Sequence, residues 1–354
     1  MAYSGNGTGT QADPYQVTTI EQLLECFSIY NSITSHNTYI YVYCKLMNDL
    51  DFNDTPQYWD CPSYLFYANN ASTYTENNAH IIYIDGNGYG IYNLYCYNKT
   101  DIFSLFSDGR SHQNQIVMQN LIFEAIAVHT SDHCTLFTST AGNYYNSGIR
   151  FISCDLRIKY YSYAVNANTD FLLGNVTQFT NCILNIDIIL NTQGYTASNC
   201  YGSLLTSSQS IGTNNPYRNM YNEWKIKVIM VSEPYRDDSN YNVFSFFDST
   251  AHLFSSFFIE LLAMKGNGWQ IFTARGNHMS IMNCYFVIKN IMTSSSYKAT
   301  PTISVSKNGI NFYDNTTADN IVDGSIGDGT LLALTTEQCK DAEYLEQQGF
   351  IIAK

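Results

Sequence analysis

Apolar and polar residues alternate in short runs that return along the chain. Ile152-Ser153-Cys154-Asp155-Leu156-Arg157-Ile158 is followed by Thr180-Asn181-Cys182-Ile183-Leu184-Asn185-Ile186, and Met282-Asn283-Cys284-Tyr285-Phe286-Val287-Ile288 repeats the form further on. Side chains alternate across a strand, so each run turns a Cys-Leu-Ile stripe to one face and mostly polar residues to the other. Gln119-Asn120-Leu121-Ile122-Phe123 and Ser255-Ser256-Phe257-Phe258-Ile259 fill the same slots without cysteine, with Phe257 aligned on Cys284. Trp224-Ile226-Val228-Met230 supplies a strand between them, at an uneven interval that leaves room for a bulge or a long loop. Weaker apolar pairs precede the stripes: Leu105-Phe106, Leu136-Phe137, Leu172-Leu173, Leu204-Leu205, Phe246-Phe247 and Ile271-Phe272. A stripe recurring at near-regular intervals is the signature of a solenoid. Two short strands per turn, without periodic helices between them, predict an all-β chain forming a single right-handed parallel β-helix.

Both ends carry helix signals. Thr18-Thr19-Ile20-Glu21 reads as a capping box, followed by Ile20, Leu23, Leu24 and Phe27 at helical spacing. Thr335-Thr336-Glu337-Gln338 reads as a second box, opening a helix through about Gln348 that Gly349 stops. The expected organisation is a lead and capping helix over 1–38, a β-helix body over 39–305, and a loop and cap over 306–354. Within the body, 54–79 is an Asn- and Tyr-rich insertion without a clear period. The connections at 140–148, 191–201, 207–219 and 233–242 are where loop-borne binding surfaces are expected.

Composition narrows the function classes. Charged residues are only 13%, about half the usual share, while the chain holds 30 Tyr and 20 Phe. A formal net charge of −13 repels phosphate backbones, and no Lys/Arg cluster offsets it, so nucleic acid is not an expected partner. Met1-Ala2-Tyr3-Ser4-Gly5 has neither the basic nor the apolar region of a secretory signal, and no apolar run is long enough to span a membrane. The expectation is synthesis in a cytoplasm without a signal peptide, with the ten cysteines reduced and Cys154, Cys182 and Cys284 in inward slots.

Several stretches resemble a known group of proteins. Gly5-Asn6-Gly7-Thr8-Gly9-Thr10, Asp13-Pro14-Tyr15-Gln16-Val17 and Glu21-Gln22-Leu23 are similar to the opening of many bacterial and phage β-helix proteins, of pectate-lyase-like or GLUG-like repeat type. Leu46-Met47-Asn48-Asp49-Leu50-Asp51-Phe52, Ile84-Asp85-Gly86-Asn87-Gly88 and the closing Leu334-Thr335-Thr336-Glu337-Gln338 continue the likeness over essentially the whole chain. The group includes surface adhesins and virion proteins of gut tailed phages. The resemblance, joined to the missing signal, implies a virion protein. These motifs speak to architecture more than to function.

Polysaccharide lyases and hydrolases also use this fold, which makes the outward charged residues the candidates for a catalytic set. Hydrolysis needs two carboxylates across a groove. Asp155 and Asp187 stand at different heights relative to their Cys slots, four residues apart, which is roughly 13 Å and too far for the usual pairing. Glu124 and Arg157 are the other outward charges; Asp237-Asp238 lies in a connection. Asp155, Arg157, Asp187, Trp224 and Trp269 are the candidate carbohydrate contacts. His129 and His133, spaced i, i+4, are a weak zinc candidate because Thr and Ser between them argue against a helix. Asp314, Asp319, Asp323 and Asp328 lack a regular calcium-loop pattern.

No cofactor is expected. The leading expectation is a non-enzymatic structural protein of a phage virion, a capsid decoration protein, head fibre or other appendage, docking on other capsid or tail proteins. A receptor-binding protein or tailspike that binds or cleaves a host surface polysaccharide comes second, with lyase or glycoside hydrolase chemistry if it is an enzyme. A bacterial adhesin comes third. A homo-oligomer fits any of the three.

Overall fold

In the computed structural model the chain is mostly strand with few helices, and every strand pairing is parallel. The structure describes residues 2–33, 40–53, 56–57, 64–69, 80–97, 101–106, 115–129, 137–139, 148–162, 177–190, 202–206, 218–230, 244–247, 252–262, 270–273, 280–282, 285–291, 302–304, 306–308, 310–315, 322–323 and 330–350. The sequence leads to two strands per repeat; the structure has three parallel ladders.

The first ladder stacks Tyr15–Val17, Ile40–Leu46, His80–Asp85, Gln115–Gln119, Gly148–Ile152 and Thr177–Thr180. It continues through the leading parts of Arg218–Met230 and His252–Leu262 to Ser280–Met282 and Ser306–Asn308. The second holds Leu50–Asp51, Gly90–Tyr97, Ile122–His129, Asp155–Ser162 and Ile183–Leu190. It runs on through the trailing parts of the same two long strands to Tyr285–Ile291, Ile310–Asp314 and Thr330–Leu334. Among the described residues the third has two groups of strands. Tyr64–Asn69 pairs with Asp101–Phe106 and that with Phe137–Ser139; later, Gly202–Thr206, Phe244–Phe247, Gln270–Thr273, Thr302–Ser304 and Val322–Asp323 follow. The stretch 54–79, without a readable period, thus contributes two strands, Tyr64–Asn69 here and Pro56–Gln57 beside Gly90–Tyr97.

The extra ladder arises because each stripe is two strands joined by a bend. Asn120, Ser153 and Asn181 sit at the same point of successive repeats, each with φ of 54°. Asn tolerates this left-handed conformation better than other side-chain-bearing residues. The bends are tied together: the Asn120 amide donates to the Ile152 carbonyl (3.0 Å) and the Ser153 amide to the Thr180 carbonyl (2.9 Å). Their side chains bond too, Asn181 Nδ2 to Ser153 Oγ at 3.1 Å and Asn120 Nδ2 to Asp85 Oδ1 at 3.3 Å.

Beyond each bend the stripe faces inward as the alternation requires. Cys154, Leu156, Ile158 and Tyr160 are buried, as are Cys182, Leu184, Ile186 and Ile188 on the next strand. On the first ladder Phe151 stacks on Phe179, ring centroids 5.2 Å apart and planes within 10°. The register of the later stripes differs from the sequence alignment. Trp224 pairs with Leu184 and Phe257 with Phe286, so Phe257 lies two residues beyond the slot expected from Cys284. A shift of two keeps the same face inward, which is why apolarity alone does not detect it. The expected irregularity is present as a register shift at Met220/Asn222.

Cys26, Cys44, Cys154, Cys182 and Cys339 are buried free thiols; Cys284 lies outside the described residues. Cys154 is held well above the usual thiol range by its hydrogen bond to Cys182 and by burial, and burial pushes Cys44 up. Burial and the Asp314 carboxylate raise Cys339 to about 11. The thiolate is the reactive form. The hydrogen bond to Cys154 lowers Cys182, so burial is what protects the whole set: in native protein these five buried cysteines should resist alkylation at neutral pH and become modified only on unfolding. Mass-spectrometric mapping of iodoacetamide adducts checks this; labelling of Cys154 or Cys182 in folded protein would refute it.

Helix α1, Ile20–Ser32, packs beside the strands Tyr15–Val17 and Ile40–Leu46. Its N-cap is Thr19, one residue later than the sequence reading. Thr19 Oγ1 accepts from the Gln22 amide at 3.2 Å, while Gln22 Oε1 accepts from the Thr18 amide at 2.7 Å. Its buried stripe is correspondingly Leu23, Cys26, Phe27 and Tyr30 rather than one including Ile20 and Leu24. At the other end the Thr335/Gln338 capping box forms as expected and opens α2, Thr336–Lys340. The single helix expected there is two. Asp341 breaks it and caps α3, Ala342–Gln347, by accepting from the Tyr344 amide at 3.0 Å. Phe312, Leu334, Cys339 and Leu345 form the core beneath, with Phe350 edge-on to Phe312 at 4.5 Å.

Candidate functional site

With Leu156 and Ile158 turned inward, Asp155, Arg157 and Lys159 emerge on the outer face of the second ladder. Pairing aligns them into columns. Arg157 stands opposite Glu124 and Asn185, and Asn185 opposite Lys225. One position along, Lys159 faces Asp187, Asp187 faces Lys227, Lys227 is in register with Glu260, and Glu260 with Lys289. Charge therefore alternates in sign along five consecutive strands.

Arg157 is the hub of the first column. Its Nε and Nη2 donate to Asp155 Oδ2 at 3.0 and 2.7 Å, and Nη1 lies 3.9 Å from Glu124 Oε2. Asn185 Nδ2 donates to the other oxygen of Asp155 at 3.4 Å. The bond to Asp155 raises the pKa of Arg157, and partial burial followed by the Asp49 charge raises that of the nearby Tyr92 phenol. Glu124, Arg157, Lys159, Asn185 and Asp187 line a shallow groove of about 240 Å³.

Pairing sets the spacing of the carboxylates on this face. Asp187 pairs with Lys159, four residues beyond Asp155, so the two aspartates are separated along the strand as their spacing implied. The carboxylates that do approach one another, Asp155 and Glu124, share one guanidinium. What lies between them is Arg157, and hydrolysis requires a sugar oxygen or a water there. The cluster is also solvent-exposed, and such ion pairs contribute at most about 1 kcal/mol. Arg157→Ala should therefore change stability by no more than about 1 kcal/mol in urea unfolding; a larger loss would mean that the cluster holds the ladder together.

The remaining candidates separate. Trp224 is in register with Leu184 on one side and Phe257 on the other. Trp269 and His133 lie outside the described residues, and His129 ends the strand Ile122–His129. Among the described residues no group of His, Cys, Asp and Glu is placed to hold a metal ion. Asp314 is buried and accepts from Thr336 Oγ1 at 2.7 Å, a structural bond at the start of α2. Asp319 and Asp328, and the connections 191–201 and 233–242, are likewise outside the described residues.

Sequence reasoning missed a tyrosine cluster on the outer face of the first ladder. Tyr43 and Tyr83 stack with centroids 4.8 Å apart and planes within 6°, and Tyr41 lies 6.3 Å from Tyr83. The signal was Tyr41-Val42-Tyr43 and Ile81-Ile82-Tyr83, with Tyr on positions opposite to the inward stripe. It becomes visible only once the pairing of these distant strands is known.

No family model matches the chain, and no curated protein matches it. Among solved structures, a Bacteroides ovatus protein provisionally named an immunoglobulin A1 protease aligns at 14% identity. The alignment covers 96% of this chain and 89% of that one, with a TM-score of 0.44. No helix among the described residues is long and apolar enough to cross a membrane.

Proposed function

We propose that the three ladders are the faces of a single right-handed parallel β-helix, and that the chain is a non-enzymatic structural protein of a tailed-phage virion, docking on other virion proteins. In-register parallel stacking supports the solenoid, and right-handed crossovers are the rule for parallel strands. The phage assignment rests on the resemblance of the Gly5–Val17, Leu46–Phe52 and Leu334–Gln338 motifs to β-helix virion proteins. The observation that carries the non-enzymatic role is the Glu124–Arg157–Asp155 cluster, which spends its nearest carboxylates on one another's counter-ion. A face whose charges are paired in place, as around Arg157, suits lateral packing in an assembly, where charged groups at the contact centre are disfavoured.

Two measurements test this reading. Antibody raised against the chain should decorate intact particles of the phage that encodes it, and the protein should co-purify with them at fixed stoichiometry. Incubated with host surface polysaccharide, the purified protein should leave its chain length unchanged. Absence from particles would remove the virion role. A stable trimer that shortens the polysaccharide would replace docking with a tailspike activity.

A further inference from the structure

The outer face of the first ladder carries a second groove, of about 310 Å³, walled by Gln11 and Pro14 and floored by the stacked Tyr43 and Tyr83 with Lys45, Asp85 and Gln119. Pairing explains the floor. Tyr43 is in register with Tyr83 and Lys45 with Asp85; on the next strand Val117 follows Tyr83 and Gln119 follows Asp85. Val117 is in turn opposite Arg150. Tyr41, its ring centroid 6.3 Å from that of Tyr83, is 42% exposed despite its size.

Apart from Asp85, the charged and amide side chains here are not spent on the described residues of the protein. Lys45 stands opposite Asp85, yet Asp85 Oδ1 accepts from the Asn87 amide (2.9 Å) and from Asn120 Nδ2 (3.3 Å). Among the described residues Lys45 forms no ion pair, and Gln11 and Gln119 make no side-chain hydrogen bond. Arg150 is also without an ion pair among them, and its charge acts on the Tyr83 phenol, opposing the upward push of burial. By contrast Arg157 and Lys225, on the neighbouring face, are both paired with carboxylates. In a chain of 30 acidic and 17 basic residues, two uncommitted cations beside one aromatic platform are complementary to an anion.

A flat aromatic surface offers apolar contact to the C–H face of a sugar ring, amides exchange hydrogen bonds with hydroxyls, and an unpaired ammonium accommodates a carboxylate. We propose that this groove binds the terminal acidic residue of an oligosaccharide, a carboxylate-bearing pyranose. Its ring lies against the Tyr41–Tyr43–Tyr83 cluster and its carboxylate is directed to Lys45. A single acidic residue is the match, because the strongly negative protein as a whole repels long polyanions. The inference stands on the groove alone, whether or not the chain belongs to a virion.

The test is titration of the full chain with a sialic-acid-terminated and a glucuronic-acid-terminated trisaccharide, with lactose as the neutral comparator, followed by tyrosine fluorescence and calorimetry. At least one acidic probe should bind, at least ten-fold more tightly than lactose, and bind more weakly as salt is raised. Lys45→Gln should weaken that binding at least ten-fold while leaving the melting temperature unchanged, since Lys45 has no partner to lose. Tyr41→Ala, at an exposed position, should weaken it as well. Failure of both acidic probes to bind would overturn the proposal. So would lactose binding as tightly as the acidic probes, or an affinity indifferent to Lys45→Gln. None of these outcomes depends on finding the protein in particles.

Discussion

Gly86→Ala should destabilise the protein by about 3 kcal/mol or more, near the upper end of what overpacking costs. A Cβ at this buried position would sit 2.2 Å from Leu121 Cβ, 2.5 Å from the Asn120 carbonyl oxygen and 2.6 Å from Leu121 Cα. Two of these three obstacles are backbone atoms, so no rotamer change relieves them. Gly86 cannot retreat either: its amide donates to the Gln119 carbonyl at 2.8 Å, and its carbonyl accepts from the Tyr89 amide at 2.8 Å. The clash must therefore separate the bend at 86–89 from the next one at Asn120. Gly88→Ala is the contrasting variant. Nothing lies within 4 Å of its Cβ, but its φ of +86° imposes strain, worth about 1 kcal/mol. Urea unfolding of both should rank them in that order. A Gly86→Ala protein within 1 kcal/mol of wild type would show that the two bends are not packed as described.

The second large effect is expected in the core. Phe151 and Phe179 are 0% and 1% exposed and stack on one another in adjacent strands of the first ladder. Phe151→Ala should cost about 3–5 kcal/mol, from lost burial and the cavity left behind, and Phe179→Ala a similar amount. Because each loses the same neighbour, the double variant should fall short of the sum, by at least 0.5 kcal/mol if the contact is real. Additivity in a double-mutant cycle would mean that the rings contribute only to their separate surroundings.

The stripe was legible because burial on one strand face imposes period two, and Leu156, Ile158, Leu184 and Ile186 all obey it. The bend at Ser153 was not, because a single residue in the left-handed region interrupts no hydrophobic pattern. Cys154 still falls inward on the far side, so one strand and two bent strands spell the same alternation. The helix starts were readable to within a residue, the second correctly at Thr335 and the first one position early at Thr18 instead of Thr19, because Thr18 and Thr19 offer equivalent hydroxyls and Glu21 and Gln22 equivalent partners. The height difference between Asp155 and Asp187 was also readable, since both are counted from buried Cys slots. The partnership of Asp155 with Arg157 and Glu124, and the stacking of Tyr43 on Tyr83, depend on which strands become neighbours, and periodicity within one strand carries no such information.

The alternating column Lys159, Asp187, Lys227, Glu260 and Lys289 has a consequence for how the chain finds its fold. Repeats of similar stripes invite mispairing, because a strand can skip its proper neighbour and dock on the one after without exposing its apolar face. Skipping one strand here would set Lys159 opposite Lys227, Asp187 opposite Glu260 and Lys227 opposite Lys289. Like charges directly opposite are destabilising, whereas the native order places unlike charges together at every step. A row of charges thus serves as a checksum on the order in which its strands are laid down.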